Sequence, residues 1–166
     1  MSTDRDAVLA RITSSLAVAD LRVVGEDLSR PWGGFLVISQ GDVRSFVNTY
    51  FADAGVEFGE ETGGLSPKIL LVAPGRRLSW QHHLRRSEIW RIVHGPVGIS
   101  RGPGDEEPPP RKCPEGDLVR IALGERHRLT GLDDWGVVAE IWQHTDAASP
   151  SDEDDIVRLA DDHNRT

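Results

Sequence analysis

From residue 66 onward the chain is divided by glycine and proline into short apolar runs, at 68–73, 77–83, 88–94, 96–101, 117–123, 127–132 and 136–144. Runs of that length match strands, and strands at such spacing with turn formers between them indicate a sandwich or barrel. The expectation is an all-β, double-sheet antiparallel barrel from about residue 66 to 144. Gly102 to Pro114 contains three consecutive prolines and reads as a loop, because proline cannot donate to a central ladder.

The first third has a different rhythm. Val8, Leu9, Ile12, Leu16 and Val18 are spaced as on a helix over residues 4–18, with Asp4 as its N-cap. Residues 21–24 read as a strand, 29–34 as a turn and 35–39 as a second strand. Val43, Phe46, Val47 and Tyr50 share one face of a helix over 42–51. The Gly- and Glu-rich stretch 55–64 reads as a loop. At the other end 146–151 is a linker and 155–159 a last short strand. The domain reading is a helix-and-strand extension over 1–29 and a barrel domain over 30–166.

Within the barrel, Gln81, His83, Glu88 and His127 are all metal-ligand types. Residues 81 and 83 share parity, so on a strand both side chains leave one face. A turn over residues 84–87 would return Glu88 beside them on the partner strand, and His127 comes from a distant strand. Nitrogen and oxygen donors suit one divalent ion of zinc, manganese, iron, nickel or cobalt. The alternative is that these residues are packed or surface side chains. The only cysteine, Cys113, has no partner for a disulfide or a thiolate metal site.

The formal net charge of −8 disfavours a sequence-independent grip on nucleic acid. Acid is concentrated in the tail, at Asp152, Glu153, Asp154, Asp155, Asp161 and Asp162. The centre is basic, with Arg76, Arg77, Arg85, Arg86, Arg91, Arg120, Arg126 and Arg128. Arginines beside a metal site suggest an anionic ligand, and outward-facing strand positions account for others. No apolar run approaches a membrane span and the N-terminus has no secretory pattern, so a cytoplasmic protein without a membrane partner is expected.

These residues carry a family resemblance. Pro74-Gly75, Gln81, His83, Glu88 and Gly95 resemble the first motif of the cupin superfamily, with Gln in place of its usual first His. Gly116 and Gly124-Glu125-Arg126-His127 resemble the second, with Ala122 where proline is common. Arg30-Pro31-Trp32-Gly33, Leu78-Ser79-Trp80-Gln81, Arg86-Ser87-Glu88-Ile89-Trp90 and Glu153-Asp154-Asp155-Ile156-Val157-Arg158 are similar to the type II mannose-6-phosphate isomerase cupins. Those cupins occur alone or behind a mannose-1-phosphate guanylyltransferase domain, and nothing here resembles the latter. The likeness covers about residues 30–165. Leu84, Arg85 and Ile89 depart from it, standing where the family commonly has histidine, and residues 1–29 are an addition.

The resemblance implies a double-stranded β-helix, or jelly-roll barrel, with metal on Gln81, His83, Glu88 and His127. It also implies aldose–ketose isomerisation of a sugar phosphate, with Arg86 and Arg158 as phosphate ligands. A base is needed near the reacting carbon. Glu140 shares parity with Val138 and Trp142 and points either into the barrel or to its outer face. Trp80 and Trp90 either stack on a sugar or belong to the core, and His82 alternates away from the ligand face. Cupins of other functions keep two alternatives open: a non-catalytic binder of a sugar or sugar nucleotide, and a metalloenzyme such as an iron oxygenase. A base in the cavity beyond the metal ligands favours the isomerase. Exposed strand edges suggest a homodimer.

Overall fold

Val8, Ile12 and Leu16 form the buried side of helix α1 (Arg5–Val18), as their spacing predicts. The computed structural model describes residues 4–59 and 62–165. Asp4 stands at the N-cap with extended backbone, but its side chain makes no capping hydrogen bond. Strands β1 (Val23–Arg30) and β2 (Gly33–Ile38) follow as one long hairpin, so the expected strand at 21–24 runs on to residue 30 and the two strands together take four of the six residues of the expected turn. Only Pro31 and Trp32 remain between them. Gly33 follows with φ 145°, where a Cβ would lie 2.0 Å from the Leu71 carbonyl oxygen. A 3-10 turn (Gln40–Asp42) leads into α2 (Val43–Tyr50), which buries Val43, Phe46 and Val47. Residues 60 and 61 of the loop expected over 55–64 lie outside the described residues.

Nine further strands complete the fold: β3 (Leu65–Val72), β4 (Trp80–His82), β5 (Arg86–His94), β6 (Val97–Gly102), β7 (Arg111–Cys113), β8 (Leu118–Ile121), β9 (Arg126–Gly131), β10 (Gly136–His144) and β11 (Val157–Ala160). They form two antiparallel sheets, ordered β1-β2-β3-β10-β5-β8 and β11-β4-β9-β6-β7. The barrel therefore extends beyond residues 66–144, gaining β1 and β2 at one end of the chain and β11 at the other.

Three details differ from the sequence reading. The stretch 102–114 is not loop throughout, since β7 pairs with β6 at the edge of its sheet, just after the prolines. The strand expected over 77–83 is reduced to β4. Gln81 opposes His127 while Arg77 opposes Thr130, so one extra residue on this side interrupts the ladder. Most consequential, β4 and β5 are not a paired hairpin. β4 lies between β11 and β9, whereas β5 lies between β10 and β8 in the other sheet. Glu88 thus faces Gln81 and His83 across the barrel instead of standing beside them.

The unbroken apolar run of β3 follows from burial on both faces. Leu70 and Val72 pack between the sheets with Ile92, Val97, Ile99, Leu129 and Val138. Ile69 and Leu71 pack on the other side with Val137, Ala139, Ile141 and the buried faces of α1 and α2. This settles the parity of β10. Its odd-numbered residues lie beneath the helices, so Val138, Glu140 and Trp142 face the barrel interior.

Candidate metal centre

Gln81 on β4 and His127 on β9 are direct cross-strand partners, so their side chains leave the same face. His83 follows in the turn after β4, and Glu88 reaches the group from β5. Nε2 of His83 lies 3.2 Å from Glu88 Oε1, and Nε2 of His127 lies 3.6 Å from Oε2. His83, Glu88 and His127 are buried, with ligand atoms all within 4.8 Å of one another. Gly124, at φ 76°, turns the chain into β9 and so places His127.

Both imidazoles hold the tautomer a metal ion needs. His83 Nδ1 lies 2.6 Å from the Asp155 carbonyl oxygen and His127 Nδ1 lies 2.9 Å from that of Glu125. A carbonyl only accepts, so each Nδ1 carries the proton and each Nε2 presents a lone pair inward. His127 Nε2 is buried with no hydrogen-bond partner. A buried acceptor without a donor is costly, and a cation is the partner that this lone pair, beside a carboxylate, fits. Gln81 completes the set in one of its two amide orientations. Its Oε1 lies 2.6 Å from Ser79 Oγ and its Nε2 3.3 Å from His83 Nε2. Turning the amide over presents Oε1 to the same space and lets Nε2 donate to Ser79. The residues thus fit a divalent ion with nitrogen and oxygen ligands.

Charge is unevenly distributed between the two buried carboxyls. Burial alone would raise that of Glu88, but His83, His127 and Arg86 outweigh it and hold it well below the usual range. Glu140 moves well above its ordinary value, first through burial and then through the charge on Glu88. Burial pushes His127 down to about 4, against the pull of Glu88, so its imidazole is neutral at neutral pH. One indole joins the carboxyls, because Trp90 Nε1 donates to Glu88 Oε2 at 3.0 Å and to Glu140 Oε1 at 3.1 Å.

Of the sequence-derived residues, Gln81, Arg86, Glu88, Glu140 and Arg158 line one cavity of about 280 Å³, whereas His83 and His127 are buried beside Glu88 and do not reach its wall. Arg86 is buried within the group. Its Nε donates to Glu88 at 2.9 Å, one terminal nitrogen reaches His83 Nε2 at 3.2 Å, and the other donates to Ser151 Oγ and the Asp152 carbonyl at 2.9 and 3.0 Å. Arg158, opposite Gln81 on β11, stands nearer the tail, where Arg30 and Arg165 join it on the cavity wall. Trp90 lines the cavity, whereas Trp80 turns away and donates to the Asp105 carbonyl at 2.7 Å. His82 does not line it.

Four contributors were not foreseen. Lys68 pairs in register with Glu140 and ion-pairs with Glu153. Trp142 carries both Arg86, 3.5 Å from its ring centroid, and Lys68, at 3.9 Å. Ser151 and Asp155 bring the tail to the site. The inward parity of Glu140 would have found Trp142, and the β3–β10 register would have found Lys68. Nothing local in the tail's sequence marks Ser151.

No family model matches the chain. Over 99 residues it is 35% identical to the xanthan biosynthesis protein XanB of Xanthomonas campestris pv. campestris, covering 60% of this chain and 20% of that protein. Among solved structures it resembles tomato (Solanum lycopersicum) vicilin, with TM-score 0.53 and 17% identity over 80% of this chain and 32% of the other. It also resembles a mutant of Bacillus subtilis oxalate decarboxylase OxdC, with TM-score 0.55 and 14% identity over 81% and 30%. CapF gives TM-score 0.54 and 15% identity over 84% and 34%. The chain thus spans a fifth of the curated relative and about a third of each of these structures. At such identities the likeness concerns the fold, and the chain has the jelly-roll fold of the cupins.

Proposed function

We propose that this chain is a metal-dependent isomerase of a phosphorylated sugar, of the type II mannose-6-phosphate isomerase kind. One observation carries the reading: Glu140, a buried carboxyl not needed as a metal ligand, shares the cavity and one indole donor with Glu88. It stands where the base that isomerisation requires can reach a bound ligand. The relative named for xanthan biosynthesis supports a sugar-derived ligand. A volume of about 280 Å³ lies at the lower end of the roughly 300–1,000 Å³ of small-molecule pockets. That favours a monosaccharide phosphate over a sugar nucleotide.

Aldose–ketose isomerisation moves a proton between C2 and C1 through an enediol. A divalent ion on His83, Glu88, His127 and Gln81 would supply Lewis acidity to the carbonyl and hydroxyl oxygens. Glu140, as carboxylate, takes the proton from C2 while the C–H electron pair becomes the enediol double bond. It then returns the proton to C1 while the C2 hydroxyl proton passes to O1, so that the ketose carbonyl forms at C2 and O1 becomes a hydroxyl. Trp90 N–H fixes the orientation of the Glu140 carboxyl, and Lys68 places a positive charge across the ladder from it. Arg158 takes the phosphate at the mouth, with Arg30 and Arg165 beside it, and Arg86 holds the inner end. A cytoplasmic homodimer, paired through open sheet edges, belongs to the same proposal.

The test is turnover of a panel of aldose and ketose phosphates, followed by NMR, with zinc, manganese, iron, nickel or cobalt supplied. Glu140→Gln keeps an acceptor for Trp90 and should retain metal while turnover falls roughly 10²–10⁴-fold. Binding without turnover of any sugar phosphate by the intact protein would assign it instead as a binding module. Oxygen consumption dependent on iron would make it an oxygenase.

A further inference from the structure

The tail reaches the site before it becomes a strand. The buried carboxylate of Asp155 accepts from the Leu84 backbone N–H at Oδ1, 3.0 Å, and from the Arg85 N–H at Oδ2, 3.0 Å. Those are the two amides that follow His83 in the turn. Its own carbonyl takes the His83 Nδ1–H at 2.6 Å. Ser151 Oγ donates to Asp155 Oδ2 at 2.6 Å and accepts from Arg86 at 2.9 Å. One residue of the tail therefore fixes the backbone after His83, the ring's tautomer and, through Ser151, the guanidinium against Glu88. A residue serving only to attach the tail would have no reason to meet the imidazole.

We propose that Asp155 is a positioning residue of the metal centre, holding His83 with its Nε2 lone pair aimed into the barrel. This rests on His83 being a ligand, which is part of the function proposed above. The carboxylate acts through the turn: it sets where the Asp155 carbonyl stands relative to the ring. His83 itself lies in no strand, since β4 ends at His82. Without the tail its ring would be met from the inner side alone, by Gln81, Arg86, Glu88 and the His127 ring, with nothing to hold Nδ1.

The experiment compares the full chain with Asp155→Ala, Asp155→Asn, and Asp162→Ala as a control. Asp162→Ala removes the Arg77 bonds at the tail's far end, 2.6 and 2.8 Å long, without touching the site. Two quantities are read: the ring-nitrogen ¹⁵N shifts of His83 in metal-free protein, assigned by loss in His83→Ala, and cobalt(II) affinity by calorimetry. Asp155→Ala should mix the His83 tautomers and weaken cobalt(II) binding roughly 10–100-fold, as loss of a partner behind a ligand does. Asp155→Asn keeps an acceptor oxygen and should recover most of both. Asp162→Ala should leave both unchanged. A folded Asp155→Ala protein with the Nδ1–H tautomer intact and affinity within about twofold of the parent overturns the proposal. Should that variant not fold, Ser151→Ala removes one anchor of the same carboxylate and must move both quantities in the same direction; no change there overturns it equally. An intact protein that binds no cobalt refutes the metal reading, while the tautomer comparison still decides the role of Asp155.

Discussion

Replacing Arg86 by methionine tests whether the charge in the barrel is balanced as described. Arg86 and Glu88 are 5% and 2% exposed as side chains, so water cannot take over when the guanidinium is removed. Methionine preserves much of the unbranched stem against Trp142. The loss is therefore one positive charge and its hydrogen bonds to Glu88, His83, Ser151 and Asp152. Removing one partner of a buried pair costs about 3–5 kcal/mol. The lower value applies here, because Trp90 Nε1 still donates to Glu88 when the guanidinium is gone. At roughly 2–4 °C per kcal/mol for a domain of this size, the metal-free protein should melt about 6–12 °C lower. A divalent cation restores positive charge beside Glu88, so excess zinc should reduce the difference by more than half. The assay is thermal melting by circular dichroism, in chelator and in zinc. A metal-free drop below about 2 °C would refute the charge argument. A large drop that zinc leaves untouched would show that Arg86 only ties down the tail.

Two further outcomes are expected. Replacing His83 and His127 together by alanine should abolish stoichiometric metal by elemental analysis, and a double variant that keeps its metal would mean the ligands lie elsewhere. Arg158→Ala should stay folded and metallated yet bind sugar phosphate about tenfold or more weakly, since a charge-assisted contact contributes roughly 1.5–3 kcal/mol; unchanged affinity by calorimetry would remove Arg158 from the phosphate subsite.

The strands were legible because turn formers bracket them, and β10 was placed to the residue. What escaped was partnership between strands. Parity says that Gln81 and His83 share a face, but it does not say which sheet the next strand joins, and β5 crosses to the other one. Glu140 was legible as a candidate while its direction was not. Only the helices lying over Val137, Ala139 and Ile141 decide that the even positions face inward. Asp155 was read as part of an acidic motif. Its function comes from contacts more than 65 residues away in sequence, to Leu84 and Arg85, which no local pattern encodes.

Side chains facing inward change character along each strand. On β3 they run Lys68, Leu70, Val72; on β5 Glu88, Trp90, Ile92; on β10 Trp142, Glu140, Val138; on β9 His127, Leu129. One end of the barrel is thus filled by aliphatic packing, with Val72, Ile92 and Val138 fully or almost fully buried. The same sheets could have been closed at the other end in that way, and buried ionic groups are often no more stabilising than the apolar residues that could replace them. Instead that end collects carboxylates, imidazoles and guanidinium, leaves the Nε2 of His127 without a hydrogen bond, and opens into the cavity. Stability does not account for this arrangement, since an aliphatic filling would serve it equally well. A ligand that is itself charged would account for it, and the function proposed above supplies one of each sign: a cation among the histidines and Glu88, and an anion towards Arg158.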